Sequence, residues 1–258
     1  MGAEISAVIT RDYINKMASS GKRMDGRSPD QFRDIRVQVN PIGSADGSAK
    51  VCIGDTMVIA GIKAEVGKPF PDSPECGVLT TSAELVPMAS PTFETGPPSP
   101  AAIELARVVD RGIRESKMVD LTKLCITPNE KVWIIYIDMH ILDYDGNLFD
   151  CASIAATIAL KNTVVPAKKF EAGEDYPLPI QHTPVSCTAV KIGRAILFDP
   201  MLNEEEAADA RLTVATDENG DIRAMQKGLS GALTYDEIKT IIHGARMLGA
   251  EIRQRHMG

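Results

Sequence analysis

The chain has 258 residues, of which 44% are hydrophobic and 24% are charged, and its formal net charge is −7. This length and hydrophobic content can bury a core in one large domain or two small ones. The negative charge argues against a protein that coats nucleic acid through bulk charge, because such binding depends on neutralising many phosphates. With 5% aromatic residues and Trp133 as the only tryptophan, a platform that stacks successive bases is not indicated either.

The chain shows no targeting or redox signature. Its N-terminal residues lack a basic segment followed by an apolar one, and no stretch approaches the ~20 apolar residues of a membrane span. We therefore expect a cytoplasmic protein that has no membrane partner. The cysteines are scattered singly without a CxxC pair, which suggests neither a zinc site nor a disulfide framework: Cys52, Cys76, Cys125, Cys151 and Cys187.

In chain order, the first predicted element is a helix within residues 9–21 that stops at Gly21. Residues 22–40 begin as a turn-rich charged stretch and run into an alternating strand, and two further strand patterns flank Gly54 and Asp55, which is typical of a hairpin. Residues 67–100 are rich in Pro, Gly, Ser and Thr and predict a long loop or a pair of short strands.

Residues 98–117 predict a helix whose apolar face contains Ile103, Ala106, Val109 and Ile113. Residues 131–147 then form a long β-branched strand pattern that ends at Asp145 and Gly146. An apolar helix follows it and stops near Pro166. The first half of the chain therefore ends near residue 165.

The second half begins with two predicted hairpins, one turning at Gly193 and the other at Asn219 and Gly220. Thr234 and Glu237 then form a capping box for a final helix. Each half is a set of strands followed by helices, which predicts an α+β fold of mixed or antiparallel sheets with packed helices. The expected segments are an N-terminal helix and extension (1–28), a first half (29–166), a linker (167–183) and a second half with the C-terminal helix (184–258).

Common catalytic motifs are absent from the sequence. There is no GxSxG, GxxxxGK[ST] or GxGxxG motif, so a hydrolase elbow, a P-loop and a dinucleotide site are not indicated. The four histidines show no HxxxH or HExxH spacing. We therefore expect neither a metal nor a cofactor.

One helix contains a stripe of arginines. Arg107, Arg111 and Arg114 are spaced four and three residues apart, which places the three guanidinium groups on one helical face. Guanidinium groups match the geometry of phosphate, so the stripe can bind an RNA backbone. The alternative is a solvated face on which the arginines pair with Glu104, Asp110 and Glu115, and spacing alone favours this alternative.

Two other segments each allow two interpretations. The acidic run 203–209, beside Asp199, can supply ligands for magnesium or a general acid, although a solvated acidic loop is the commoner outcome. Asp145, Gly146 and Asn147 join a strand to a helix, a junction that can direct helix N-terminal amides at an anion. The same residues suit an ordinary turn.

Several segments together resemble the RNase PH-like exoribonucleases. Arg23-Met24-Asp25-Gly26-Arg27 with Arg33 is similar to the opening motif of that family, and the hairpin with Gly54-Asp55-Thr56 is similar to its first hairpin. Residues 104–116, 198–206 and 217–234 are similar to its arginine-bearing helix and to its second half. Within the family, residues 106–116, 123–126 and 197–206 are most similar to the non-catalytic ring subunit of the archaeal exosome. The resemblance implies an RNase PH-like fold, of the type of ribosomal protein S5 domain 2.

The resemblance also implies an activity, in which inorganic phosphate attacks the last phosphodiester bond of an RNA. Catalytic members have a Gly-[Ser/Thr]-Arg phosphate cradle where this chain has Gly146-Asn147-Leu148. They also have two aspartates six residues apart, and these positions fall at Glu205 and Arg211 here. We therefore expect an inactive homologue with no catalytic residues of its own; the alternatives are an independent phosphorolytic 3′-to-5′ exoribonuclease and a phosphate-independent RNA-binding module.

The partners implied by the resemblance are a catalytic RNase PH-like subunit, S1/KH-type RNA-binding cap subunits and RNA. In the family, catalytic and non-catalytic chains alternate as three heterodimers in a hexameric ring. This arrangement favours RNA binding, or shaping of the neighbour's active site, as the role of Arg107, Arg111 and Arg114.

Overall fold

The computed structural model describes residues 2–257, with side chains from residue 10 onward. The first half of the chain builds a six-stranded sheet with the strand order β1-β2-β3-β6-β4, and β5 pairs with the start of β6. All its pairs are antiparallel except that of β4 with β6. The strands are β1 (Ile35–Val39), β2 (Gly47–Ile53), β3 (Thr56–Gly67), β4 (Val78–Leu85), β5 (Cys125–Thr127) and β6 (Lys131–Asp143).

The second half builds an antiparallel sheet in the order β10-β9-β11-β12, and a two-stranded sheet lies between the halves in sequence. The strands are β7 (Val164–Val165), β8 (Tyr176–Pro177), β9 (Val185–Ile192), β10 (Ala195–Phe198), β11 (Ala210–Thr216) and β12 (Ile222–Gly228). These sheets confirm the predicted α+β fold.

One helix, α3, lies between the two large sheets and joins their cores. It packs against β2 and β3 on one side and against β9 on the other, and it is buried from Phe149 to Leu160. Alanines recur along it, which lets both sheets approach the helix closely. The helices are α1 (Gly2–Ser19), α2 (Pro100–Glu115), α3 (Leu148–Lys161), α4 (Leu202–Ala207) and α5 (Tyr235–His256).

The predicted turns form where the local sequence indicates them. Gly54, Gly193 and Gly220 have φ values of 58°, 60° and 78° at the three hairpins, a backbone region that favours glycine. At the start of α5, Thr234 and Glu237 form the predicted capping box. The segment 67–100 differs from the prediction, because it contains a single strand, β4, that pairs in parallel with β6.

The predicted apolar face of α2 is partly wrong. Val109 and Ile113 are buried as expected, but Ile103 is 48% exposed. The buried face is formed instead by Ala102, Leu105, Val109, Gly112 and Ile113. This face packs against β4 and α3 and leaves Ile103 outside the contact.

Three of the five cysteines are buried, at positions 52, 151 and 187, whereas Cys76 and Cys125 are half-buried. All five are free thiols.

No helix in the described part of the chain is long and apolar enough to cross a membrane.

The carboxylate of Asp199 joins the second sheet to the N-terminal extension. It is fully buried and accepts hydrogen bonds from the Arg33 guanidinium at 2.8 and 2.9 Å and from Arg27 at 2.8 Å. It also accepts one from the Nδ2 of Asn147, at 2.7 Å. Burial by itself raises the pKa of Asp199, but the hydrogen bonds and charge of Arg33 outweigh it and hold that pKa below its ordinary value.

A second buried ion pair lies beside the first. Arg23 donates to both carboxylate oxygens of Glu204, at 2.9 and 2.5 Å, and to the carbonyl oxygens of Phe198 and Asp199. The arginines of the opening motif are thus engaged in buried contacts with the segment 198–204.

Replacing Asp199 with alanine should destabilise the protein by about 3–5 kcal/mol, because two guanidinium groups then lose a buried anionic partner. Urea denaturation followed by circular dichroism measures this loss. The control is Glu251→Ala, which removes one partner of the exposed pair between Glu251 and Arg255 and should cost at most about 0.5 kcal/mol. Equal losses in the two variants would contradict a structural role for Asp199.

Candidate functional site

The strand-to-helix junction after β6 is shaped by two local contacts. Gly146 has a φ of 85°, and a Cβ added there would lie 2.5 Å from the carbonyl oxygen of Pro200, so only glycine fits. The hydroxyl of Thr56 donates to the Gly146 carbonyl at 2.6 Å and accepts from the Asp145 amide at 3.0 Å. The turn of the β2-β3 hairpin therefore fixes the position at which α3 begins.

The N-terminus of α3 faces a carboxylate from the chain itself. Asn147 is the N-cap residue in a left-handed conformation, and its amide N–H donates to Oε1 of Glu205 at 2.9 Å. The other oxygen of Glu205 accepts a hydrogen bond from the Tyr144 hydroxyl at 2.7 Å. Because a helix N-terminus has a partial positive charge that favours anions, Glu205 occupies the position suited to an external anion.

The titration of Glu205 and Tyr144 is shifted by this environment. Burial raises the pKa of Glu205, although the hydrogen bond from Tyr144 opposes the shift. Burial and the charge of Glu205 raise the pKa of Tyr144, so its hydroxyl remains a donor.

Leu148 is the residue that follows the N-cap, and it has no charge to offer a ligand. Its side chain is half-buried and packs against the hydrophobic core. At the residue where a phosphate cradle would need a cation, the chain therefore has an apolar group. The nearby Arg33 guanidinium is already paired with Asp199 and Asp145.

Arg211, at the start of β11, lies next to this junction. Its guanidinium carbon is 4.0 Å from the centre of the Phe149 ring, and Nη2 is 2.5 Å from Oε1 of Glu104 on α2. The Nε of Arg211 is buried without a hydrogen-bond partner among the described residues. A cation thus lies at the position of the second expected aspartate, and it bridges α2 and α3.

Asp150, in the first turn of α3, is fully buried within a network of neutral donors. It accepts hydrogen bonds from Asn147 Nδ2 at 2.9 Å, from the Thr188 amide at 2.8 Å and from the Thr188 hydroxyl at 2.7 Å. Burial raises the pKa of Asp150 to about 7, against the effect of these hydrogen bonds.

The three predicted arginines of α2 line one open surface groove of about 640 Å³. Arg107 and Arg111 are exposed and form no ion pair with any side chain that the structure describes. Arg114 is held differently, because it forms an ion pair with Asp110 at 2.9 Å and donates to the carbonyl of Leu79. Among Glu104, Asp110 and Glu115, only Asp110 forms an ion pair with an arginine of the stripe in the described structure.

The acidic run is not the solvated loop that its composition favours. It forms the short helix α4, in which Glu204 is buried against Arg23 and Glu205 faces the α3 N-terminus. Glu206 is exposed. Within the described part of the chain, no three His, Cys, Asp or Glu side chains are grouped as metal ligands.

Sequence spacing did not reveal the contact partners at the site. The sequence resemblance placed Glu205 and Arg211 at the positions of two catalytic aspartates. It did not predict the hydrogen bond of Glu205 with the Asn147 amide or the ion pair of Arg211 with Glu104. Both contacts join segments far apart in the chain, and no local pattern indicates them.

Comparison with known proteins identifies the family to which this architecture is similar. The model of the 3′ exoribonuclease family, RNase PH domain 1, matches residues 31–166, and the model of domain 2 matches residues 182–246. The exosome complex component Rrp42 of Thermoplasma acidophilum is 51% identical over 254 residues, which cover 98% of this chain and 97% of that one. Its counterpart in Methanocella arvoryzae is 52% identical over 258 residues, covering 100% and 99%.

Solved structures show the same similarity. A chain of the Archaeoglobus fulgidus exosome with RNA bound to the active site has a TM-score of 0.95 and 46% identity, covering 97% of this chain and 99% of that one. A chain of an archaeal exosome core has a TM-score of 0.92 and 42% identity, with both chains covered completely.

Asp150 should make the stability of the protein fall as the pH rises from about 4 to 7. Its pKa is about 7 in the folded protein against an ordinary 3.8, so in this window the folded state binds a proton that the unfolded state has released. Asp150→Asn should therefore show a flatter dependence of the unfolding free energy on pH, measured by urea denaturation across this range.

The control for this experiment is Asp120→Asn. The hydrogen bond from Thr122 lowers the pKa of Asp120, so this residue titrates below the window in both states. The control should retain the pH dependence of the unaltered protein, and an unchanged pH dependence in Asp150→Asn would show that Asp150 stays ionised.

Proposed function

Since the chain belongs to the RNase PH-type 3′ exoribonuclease family, we propose that it is a non-catalytic structural component of an exosome ring that degrades RNA from the 3′ end. It pairs with a catalytic RNase PH-like subunit, helps to shape that subunit's active site and guides RNA. Its relatives are components of archaeal exosome complexes, and one similar chain comes from an exosome with RNA bound. The proposed assembly is a hexameric ring of three heterodimers with S1/KH-type cap subunits.

The carboxylate of Glu205 at the N-terminus of α3 is the observation that carries the proposal. Inorganic phosphate is an anion, and it would need this helix terminus together with a nearby cation. The Asn147 amide already donates to Glu205, so a bound phosphate would have to displace the carboxylate or lie beside a like charge. Leu148 supplies no cation, and the nearby Arg33 and Arg211 are already paired with Asp199 and Glu104.

The side chain of Arg211 supports the same conclusion. A general acid at this position would need a group that can release a proton near neutral pH, and a guanidinium does not do so. Arg211 is moreover engaged with Glu104 and with the ring of Phe149.

Arg107 and Arg111 support the role in guiding RNA. Both are exposed on one groove and leave their guanidinium groups available to a ligand, whereas Arg114 is held by Asp110 and Leu79. On a chain with a net charge of −7, such a local pair of arginines is what a contact with an RNA backbone requires. We therefore assign direct contact with RNA to Arg107 and Arg111 and a supporting position to Arg114.

The purified chain alone should not shorten RNA in the presence of phosphate, whereas the chain reconstituted with a catalytic RNase PH-like subunit should support processive shortening. The measurement follows a 5′-labelled RNA on a denaturing gel with and without phosphate. The control is the catalytic subunit alone, which separates its own activity from that of the assembly. Phosphate-dependent shortening by the lone chain would establish an independent phosphorolytic exoribonuclease instead.

Replacing Arg107, Arg111 and Arg114 with alanine should weaken RNA binding and processing by the reconstituted ring while leaving assembly intact. Arg107→Ala with Arg111→Ala should account for most of the effect, roughly a 5- to 30-fold increase in Kd, if each partly exposed phosphate contact contributes about 0.5–1 kcal/mol. Fluorescence anisotropy with a labelled RNA measures Kd, and gel filtration measures assembly.

The matched control for the arginine stripe is Arg255→Ala, since Arg255 is an exposed arginine on a different helix. It removes one positive charge, as each single replacement within the stripe does, and should leave Kd within about twofold of the unaltered ring. An equal loss in the control would attribute the effect to net charge rather than to the groove of α2.

A further inference from the structure

The arginine stripe has an acidic neighbour on its own helix. Glu104 precedes Arg107 by three residues, a spacing at which side chains on a helix meet, and both residues line the same groove. A free carboxylate at this position would pair with Arg107 and repel the phosphates of an RNA.

In the structure, the carboxylate of Glu104 contacts Arg211 instead. The distance from Oε1 of Glu104 to Nη2 of Arg211 is 2.5 Å, and the Arg211 side chain is only 14% exposed. Arg211 comes from β11 in the second sheet, so its position does not depend on the packing of α2 alone.

The space around Arg211 is formed by specific neighbours. Its guanidinium lies 4.0 Å from the centre of the Phe149 ring on one side. Gly228 is its register partner on β12, and a Cβ added to Gly228 would lie 2.5 Å from Nη2 of Arg211. A glycine therefore leaves room for the guanidinium, and the aromatic ring supports it.

We propose that Arg211 is a positioning residue that captures the carboxylate of Glu104 and thereby leaves Arg107 free to bind an RNA phosphate. This inference rests on the proposed role of Arg107 in RNA binding. Arg211 stands where catalytic relatives have an aspartate. In this chain it would instead determine whether the carboxylate of Glu104 or the guanidinium of Arg107 is free on α2.

Arg211→Met tests the proposal in the ring reconstituted with its catalytic partner. Methionine keeps much of the packing over Phe149 but cannot hold Glu104. Binding of a labelled oligoadenylate is measured in phosphate-free buffer, where phosphorolysis does not consume the RNA. We expect a Kd about two- to fivefold higher, as for the loss of one phosphate contact. The slope of log Kd against log salt should decrease by about 0.7.

The rescue variant distinguishes charge capture from a general structural role. Adding Glu104→Ala to Arg211→Met removes the released carboxylate, so Kd should return to within about twofold of the unaltered ring. A double variant that binds as weakly as Arg211→Met overturns the proposal, and so does an Arg211→Met ring with unchanged Kd. Arg255→Met serves as the charge-matched control.

Glu104→Gln keeps the proposal testable if the Arg211→Met ring does not assemble. It should lower the unfolding temperature, because Arg211 loses its partner, without tightening the binding of RNA. A Kd several times lower would show that Glu104 already competes for Arg107, which overturns the proposal.

A ring that carries both Arg107→Ala and Arg111→Ala distinguishes a failure of this proposal from a failure of the proposed function. If Arg107→Ala and Arg111→Ala leave Kd unchanged, the RNA contact itself is wrong. If they raise Kd but Arg211→Met does not, the RNA contact stands and only the capture of Glu104 is wrong.

Discussion

Asp199 follows the last residue of β10 and is fully buried, and its carboxylate accepts hydrogen bonds from Arg27 and Arg33 on the N-terminal side and from Asn147 at the start of α3. Burying a charge costs free energy unless it is paired, and Arg27 and Arg33 supply the pairing. Because Asn147 is held by the same carboxylate, the interaction that joins the two halves also sets the geometry of the α3 N-terminus. The position of the candidate site therefore depends on a structural ion pair.

The opening motif of the family has a structural explanation in this chain. Arg23 forms an ion pair with Glu204, and Arg27 and Arg33 form ion pairs with Asp199. None of the three guanidinium groups is left for a ligand by these contacts, so the motif marks the fold rather than the chemistry. Loss of any of these arginines would leave a buried carboxylate with fewer partners, which is costly whether or not the chain is catalytic.

The proposed non-catalytic role rests on Leu148 and Arg211, which stand where catalytic relatives have an arginine and an aspartate. Contacts within the chain stabilise the groups around them. Glu205 satisfies a helix N-terminus that would otherwise favour an external anion, and Arg211 finds a carboxylate on α2 and an aromatic ring on α3. The groups around the α3 N-terminus are thus satisfied by hydrogen bonds and ion pairs within the chain. Arg211 contacts Glu104, which lines the same groove as Arg107 and Arg111. The same residues can therefore stabilise the fold and adjust the charge of the proposed RNA-binding face of α2.

The sequence by itself determined the features that depend on neighbouring residues. The turns at Gly54, Gly193 and Gly220 and the capping box of α5 were predicted correctly, because glycine conformation and side-chain capping act within a few residues. The spacing of Arg107, Arg111 and Arg114 likewise placed them on one helical face, and the departures at Leu148 and Arg211 are visible in the sequence.

Only the tertiary structure decided which charges meet. Arg33 and Asp199 are 166 residues apart, Glu205 and Asn147 are 58 apart, and Arg211 and Glu104 are 107 apart. The parallel pairing of β4 and the exposure of Ile103 also depend on how distant elements pack. Long-range ion pairs and sheet neighbours leave no periodic signal in a single sequence, because any of several carboxylates satisfies the same local pattern.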